Sequence, residues 1–106
     1  MYTIIETPTF MAEAAHIWSD DERLEFFAWI AENPEAGAVI PGSGGCRKVR
    51  WSRPGTGRRG GARVIYFVRP RHGEVWMLLA YAKTVRDDIP GRILRQIRGE
   101  LEDVSS

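Results

Sequence analysis

The chain has 106 residues, of which 43% are hydrophobic and 27% are charged; this is the composition of a single folded domain, which we expect to span residues 1–106. Its longest apolar runs fall well short of the ~20 residues that cross a bilayer, which argues against a membrane protein. The single cysteine and two histidines make neither an internal disulfide nor a zinc site of the usual spacing. We therefore expect a cytoplasmic domain that needs no metal and no other cofactor.

The net charge of +1 conceals a strong asymmetry along the chain. Residues 1–45 hold eight acidic residues against one arginine, whereas residues 46–71 hold nine basic residues and no acidic one. Such asymmetry indicates a polyanionic partner better than the total charge does. A solvated basic loop is the alternative, but the basic residues alternate with strand-forming apolar ones, which fixes their charges on a folded surface. Most of the basic residues are arginines, which hold phosphate in a bidentate fork.

The first third of the chain predicts a strand followed by a helical hairpin. Tyr2–Glu6 alternates as a strand does, and Thr7-Pro8 supplies an N-cap followed by proline at the first helical position. Ser19-Asp-Asp-Glu22 is a capping box that opens a second helix, which ends at Asn33-Pro34. For this second helix the helical spacing predicts a buried stripe of Leu24, Phe27, Ala28 and Ala31.

The rest of the chain predicts a turn-rich segment over residues 34–45, three strands and a final helix that begins near Pro90. The strands are rich in β-branched and aromatic residues, and a turn over residues 70–73 makes the last two a hairpin. Their predicted bounds are Cys46–Trp51, Ala62–Arg69 and Val75–Lys83. The order β-α-α-β-β-β-α predicts an α+β fold, in which a small, mainly antiparallel sheet packs against the helical hairpin and the C-terminal helix.

Basic residues cluster at one end of this predicted sheet. Lys48 and Arg50 alternate along one strand and therefore project from the same face. The antiparallel hairpin brings Arg63 beside residues near Tyr81, with the register open by one residue. Lys83 ends the last strand. We expect Arg63, Tyr81 and Lys83 to converge on one edge of the sheet with the loop that carries Arg58 and Arg59.

The loop before the second of the three strands matches the pattern G-x-G-x-x-G at Gly55–Gly60. Because a strand and not a helix follows it, we reject a dinucleotide site. We interpret the loop as a clamp for backbone phosphates, the alternative being an ordinary surface turn. The candidates for RNA contact are the loop arginines, the arginine that follows Cys46 and a tryptophan able to stack on a base, namely Arg53, Arg58, Arg59, Arg47 and Trp51.

Three segments, in this order, resemble the RelE/ParE toxin superfamily and its HigB-type branch in particular: Gly44–Trp51, Pro54–Tyr66 and Leu79–Lys83. The resemblance implies the RelE fold and a type II toxin that cleaves mRNA in the ribosomal A site. It implies as partners the ribosome, mRNA and a helix-turn-helix antitoxin of the HigA type. By motif position, the basic active-site and RNA-contacting residues would be Lys48, Arg50, Arg63 and Lys83.

The reaction that the resemblance implies is attack of an RNA 2′-hydroxyl on the adjacent phosphorus. The enzyme must accept the hydroxyl proton, neutralise the phosphorane oxygens and protonate the leaving 5′-oxygen. Arg63, supported by Arg50, is the candidate for the phosphorane, and Lys83 or Lys48 is the candidate base. Tyr81 is a candidate for proton donation or base stacking. A ParE-like gyrase poison and a non-catalytic RNA-binding module of the same fold are the alternatives.

Overall fold

A computed structural model describes residues 1–51, 61–82 and 89–105. In chain order these ranges form β1 (Thr3–Glu6), α1 (Pro8–Ala14), α2 (Asp20–Glu32), β2 (Ala38–Val39), β3 (Arg47–Trp51), β4 (Ala62–Arg69), β5 (Glu74–Ala82) and α3 (Gly91–Ser105). A short 3-10 turn, Pro70–His72, joins β4 to β5. No helix in the described ranges combines the length and the apolar character that a membrane span requires.

The strands form one mixed sheet in the order β1-β5-β4-β3-β2. β1 runs parallel to β5, and the other three neighbouring pairs are antiparallel. The predicted α+β class and the mainly antiparallel sheet are therefore confirmed. β2 lies within the segment that the sequence predicts to be turns, because an edge strand of two residues is too short to show alternation.

Each face of the central strands carries its own apolar cluster. On one face, α1 and α2 contribute Phe10, Phe26 and Ile30 to a core shared with Val64 and Met77. On the other face, α3 places Leu94 against a second cluster that includes Ile65, Phe67 and Leu79. Successive residues of β4 alternate between the two clusters, as the pleat of a strand requires. The sheet is thus covered on both sides, as the apolar character of β4 and β5 predicts.

The helix starts follow their predicted caps. The Thr7 hydroxyl accepts from the Phe10 amide at the start of α1, and Ser19 and Glu22 form the capping box of α2. The predicted buried stripe of α2 is right at Ala31, which is buried, and wrong at Leu24, which is 58% exposed, whereas Phe26 and Ile30 are fully buried. Apolar residues occupy much of the circumference of α2, so their spacing alone does not determine which side of the helix faces the sheet.

A buried tyrosine fixes the chain between α2 and β2. The Tyr66 hydroxyl donates to the Pro34 carbonyl at 2.8 Å and accepts from the Gly37 amide at 2.9 Å. A Cβ on Gly37 would lie 2.9 Å from this hydroxyl and from the Lys48 carbonyl oxygen, so the close approach requires glycine. These contacts set the segment that leads into β2 directly against β3.

Candidate functional site

Four predicted site residues lie together on the face of the sheet that α3 covers in part. Arg50 in β3, Arg63 in β4 and Tyr81 in β5 are direct cross-strand partners. Lys48 precedes Arg50 by two positions and lies opposite Ile65, so it projects from the same face one pleat further along. We call Lys48, Arg50, Arg63 and Tyr81 the basic cluster. The structure thereby settles the register between Arg63 and Tyr81 that the sequence left open.

The electrostatics of the cluster favour an anion. The Cβ atoms of directly opposed residues on antiparallel strands lie about 4.5–5.5 Å apart, and like charges at that separation destabilise the sheet. Arg50 and Arg63 are such a pair, and neither β3 nor β4 contains an acidic residue. A bound phosphate could accept charge-assisted hydrogen bonds from both guanidinium groups.

A groove opens beside the cluster. It encloses about 270 Å³ and is lined by Lys48 and Tyr81 together with apolar residues from β2, the two residues after it, β4 and the segment just before α3. The walls are Ala38, Val39, Ile40, Pro41, Ile65 and Ile89. Tyr81 is only 4% exposed. A cation and a phenol above apolar walls suit a nucleotide, whose base is planar and whose phosphate is charged.

The outer wall of this groove is held in place by backbone and hydroxyl contacts. The Ile40 amide donates to the Cys46 carbonyl at 2.8 Å, and the Ser43 hydroxyl donates to the Ile40 carbonyl at 2.6 Å. The sequence analysis did not identify Ile40, Pro41 or Ile89 as site residues. The turn signal of residues 42–45 was visible, but only the pairing of β2 with β3 shows which side chains it places beside Lys48.

Two predicted RNA contacts lie on the opposite face. Arg47 donates through Nη1 to the Gly37 carbonyl at 2.7 Å. The ring of Trp51 lies 5.1 Å from that of Trp29 and 5.5 Å from that of Phe26, measured between centroids. Alternation along β3 turns positions 47 and 51 toward the helical hairpin while Lys48 and Arg50 face away from it. The structure gives Arg47 and Trp51 internal packing and anchoring contacts and does not bring them to the cluster; their contact with RNA stays a prediction.

Four further predicted site residues lie outside the described residues: Lys83, Arg53, Arg58 and Arg59. In sequence, residues 52–60 join β3 to β4, and residues 83–88 follow β5. Their assignment to catalysis or RNA contact stays a prediction.

The other residues capable of acid–base or nucleophilic chemistry lie away from the cluster. Cys46 is fully buried in the core beneath α3, and burial raises the pKa of its thiol despite the neighbouring Arg98. His16 is exposed in the turn after α1, and His72 lies in the turn between β4 and β5. Cys46, His16 and His72 therefore take no part in the basic cluster.

No known family model matches the chain. Its fold is similar to that of the isolated E. coli RelE toxin, with 19% identity over 92% of this chain and 99% of RelE and a TM-score of 0.59. It is similar also to an E. coli RelE double arginine-to-alanine mutant in the free state, with 19% identity over 77% of this chain and 83% of the mutant and a TM-score of 0.58.

A third similar structure is the intact E. coli RelBE toxin–antitoxin complex. There the match has 19% identity, covers 77% of this chain and 96% of the matched chain, and has a TM-score of 0.59. The chain therefore has the RelE fold. This confirms the fold that the resemblance in the sequence implies.

Proposed function

We propose that the protein is the toxin of a toxin–antitoxin pair and that it acts as an endoribonuclease on ribosome-bound mRNA. The observation that carries the proposal is the row of Arg50, Arg63 and Tyr81 across three strands, with Lys48 beside it. Solved proteins that share the fold are named as toxins, one of them in a complex with its antitoxin. The excess of nine basic residues in positions 46–71 supports an RNA substrate.

The proposed reaction forms a bond from the RNA 2′-oxygen to the adjacent phosphorus and breaks the bond from that phosphorus to the 5′-oxygen. Arg63 lies between Arg50 and Tyr81 in the row, so we assign it to the phosphorane oxygens, with Arg50 in support. Positive charge that is already in place when the phosphorane forms stabilises the transition state more than the substrate. Guanidinium groups supply this charge, so the proposed reaction is independent of metal ions.

Two protons must move in this reaction. Lys48 lies on the same face as the two arginines and lines the groove, so its amine, in the unprotonated form that a base requires, is a candidate to accept the 2′-hydroxyl proton; Lys83 is the other candidate. Tyr81 lines the same groove, and we propose it as the residue that donates a proton to the leaving 5′-oxygen or stacks on the substrate base. Proton transfer by a positioned side chain typically contributes 10²–10⁴-fold to rate.

We propose a helix-turn-helix antitoxin of the HigA type as the cognate partner. Such a partner would neutralise the toxin by setting acidic side chains against the basic cluster or by preventing its access to the ribosome sterically. Support for an antitoxin comes from the similarity to the RelBE complex. A neighbouring reading frame that encodes a helix-turn-helix protein, and its co-purification with this chain, would test this partner.

Primer extension on mRNA from cells that express the protein tests the proposed activity. New 5′ ends within translated regions, absent from cells that express Arg63→Ala, would support ribosome-dependent cleavage. Growth inhibition without new ends, accompanied by gyrase-linked DNA breaks, would instead support a gyrase poison. Binding to RNA with neither effect would indicate a non-catalytic RNA-binding module.

A further inference from the structure

A second group of basic side chains lies at the opposite end of the sheet, where β4 turns into β5. Arg69 pairs with Glu74 in the register and lies about 20 Å along β4 from Arg63, at about 3.3 Å per residue. A cleft of about 380 Å³ opens here between the turn and α3. Its polar lining is Arg69, Arg71, His72, Arg98 and Glu102. The proposed nuclease reaction uses none of these residues.

Two of the arginines in this cleft lie at the two ends of a pair of stacked aromatic rings. The Arg98 guanidinium lies 4.6 Å from the centroid of Phe67. Phe67 stacks on Trp76 with centroids 5.7 Å apart and an angle of 11° between planes, and Arg69 lies 5.8 Å from the Trp76 centroid. Cation–π contacts of this kind hold guanidinium groups in fixed positions. The cleft therefore presents cations that are already ordered before a ligand binds.

Arg98 is further fixed by two polar contacts. Its Nε donates to Oε1 of Glu102 at 2.8 Å, and its Nη1 donates to the Gly44 carbonyl at 2.6 Å. Within the described part of the chain, the hydrogen bonds of Arg98 leave Nη2 unused. Since a guanidinium has five N–H donors, Arg98 keeps donors for an external anion after its structural contacts are made.

Three exposed arginines extend the charge of the cleft along the outside of the molecule. Arg71, Arg92 and Arg95 make no hydrogen bond or ion pair with any residue that the structure describes. Arg92, Arg95 and Arg98 are spaced three residues apart, so they share one side of α3 and rise about 4.5 Å at each step. The start of α3 adjoins the first groove, because Gly91 approaches the Pro41 carbonyl closely and Ile89 lines that groove.

We propose that this distal strip, formed by Arg69, Arg71, Arg92, Arg95 and Arg98, binds the phosphate backbone of structured RNA. The inference deepens the proposed function and rests on it, since a ribosomal target offers folded RNA around the mRNA. Glu74 forms an ion pair with Arg69, and Glu102 forms one with Arg98. The Glu100 carboxylate accepts a hydrogen bond from the Gln96 side chain.

The chemistry of the strip favours a nucleic-acid backbone over a protein partner. All five cations are arginines, whose planar forks match phosphate oxygens, and the strip contains no lysine. It runs from the distal cleft to the groove proposed for the substrate, so one large polyanion would contact both. Contacts to phosphates position the protein on RNA without reading its sequence.

The triple variant Arg71→Ala/Arg92→Ala/Arg95→Ala tests the strip. These side chains are exposed and have no partner among the described residues, so we expect the variant to fold, which circular dichroism checks. The assay is binding to purified ribosomes at several salt concentrations. Each lost phosphate contact should lower the slope of log K against log salt by about 0.7–0.9, and affinity at physiological salt should fall by about tenfold or more.

A charge-matched control separates the position of the charge from its total. Ala12→Glu/Ala15→Glu/Ala28→Glu lowers the net charge by the same amount at exposed positions of the helical hairpin, on the other side of the sheet. We expect its salt slope to stay within error of the wild-type slope. An equal loss of binding in the control and the strip variant would overturn the inference, as would unchanged binding by the strip variant.

Binding and cleavage are measured separately, so the two proposals can fail separately. If the wild-type protein binds ribosomes through the strip but cuts no mRNA, the strip stands and the nuclease proposal fails. If the wild-type protein cuts mRNA and the strip variant binds ribosomes normally, only the strip is overturned. If the strip variant binds ribosomes normally but no longer binds its antitoxin, the strip is a protein-binding surface and the inference is overturned. If the wild-type protein binds neither ribosomes nor purified ribosomal RNA, both proposals are overturned.

Discussion

Removing one oxygen from the core, by Tyr66→Phe, should weaken the wall of the substrate groove and the whole fold. The ring is fully buried, and its hydroxyl donates to the Pro34 carbonyl and accepts from the Gly37 amide. Two hydrogen bonds are worth about 1 kcal/mol each, and a buried amide left without an acceptor adds to the loss, so we expect a destabilisation of about 2–3 kcal/mol. The ring itself still packs, which keeps a cavity term small.

Urea denaturation measures this loss as a shift of the midpoint at constant slope. Tyr2→Phe is the matched control, because Tyr2 is partly exposed and its hydroxyl makes no hydrogen bond within the described residues; it should change stability by less than about 0.5 kcal/mol. A Tyr66→Phe protein as stable as the control would refute the role given to this hydroxyl.

The same variant has a predicted pH dependence. Burial raises the pKa of Tyr66 above its ordinary value of 10.0, so the folded protein holds the phenol proton more tightly than the unfolded chain does. The stability from this proton is complete below about pH 10 and is lost as pH rises toward the folded pKa. The stability advantage of wild type over Tyr66→Phe should therefore stay constant up to about pH 9 and shrink as pH rises above about 10. An advantage that stayed constant above that pH would contradict the assignment.

Other substitutions separate binding, catalysis and packing. Arg63→Ala should lower mRNA cleavage by about 10²-fold or more in a reconstituted translation reaction while ribosome binding changes little, because the charge of Arg63 acts mainly in the transition state. Equal losses of binding and cleavage would show that Arg63 is a binding residue. Lys48→Ala and Lys83→Ala identify the base. We expect one of these variants to lose cleavage across the pH range and the other to retain it, and the lysine whose removal abolishes cleavage is the proton acceptor. Trp51→Ala should destabilise the fold by about 2–4 kcal/mol in urea, because its ring packs on Trp29 and Phe26. Trp51→Phe should bind ribosomes like wild type. If this variant is folded but binds ribosomes more weakly, the result would support a contact between Trp51 and RNA.

Local sequence signals predicted the elements that local interactions determine. The caps at Thr7 and Ser19 need only residues within one turn, and the bounds of β4 follow from its run of β-branched and aromatic residues. The convergence of Arg63 and Tyr81 was predictable because a tight hairpin connects their strands. The register that makes them direct partners was not, because a slip of one residue leaves the hairpin intact.

Features that depend on packing between distant segments were not predictable in the same way. The phase of α2 is set by which ring the sheet accommodates, so Phe26 is buried and Leu24 is exposed. The groove wall depends on the Tyr66 hydroxyl reaching Pro34, 32 residues away in sequence. The basic run of residues 46–71 indicated a single cationic surface. In the part of this run that the structure describes, the strand pleat instead divides the basic side chains among the cluster, the hairpin side and the distal strip.

The most direct test of the central claim is cleavage of a defined mRNA in a reconstituted translation reaction, with the ends of the products mapped. The proposed function predicts cuts only when ribosomes are present, with 2′,3′-cyclic phosphate or 3′-phosphate ends. A single 2′-deoxynucleotide at the cut site should abolish that cut, because the attacking hydroxyl is missing. Cleavage that persists at the deoxy position would contradict 2′-hydroxyl attack, and intact mRNA under conditions where the protein stops growth would contradict the nuclease altogether.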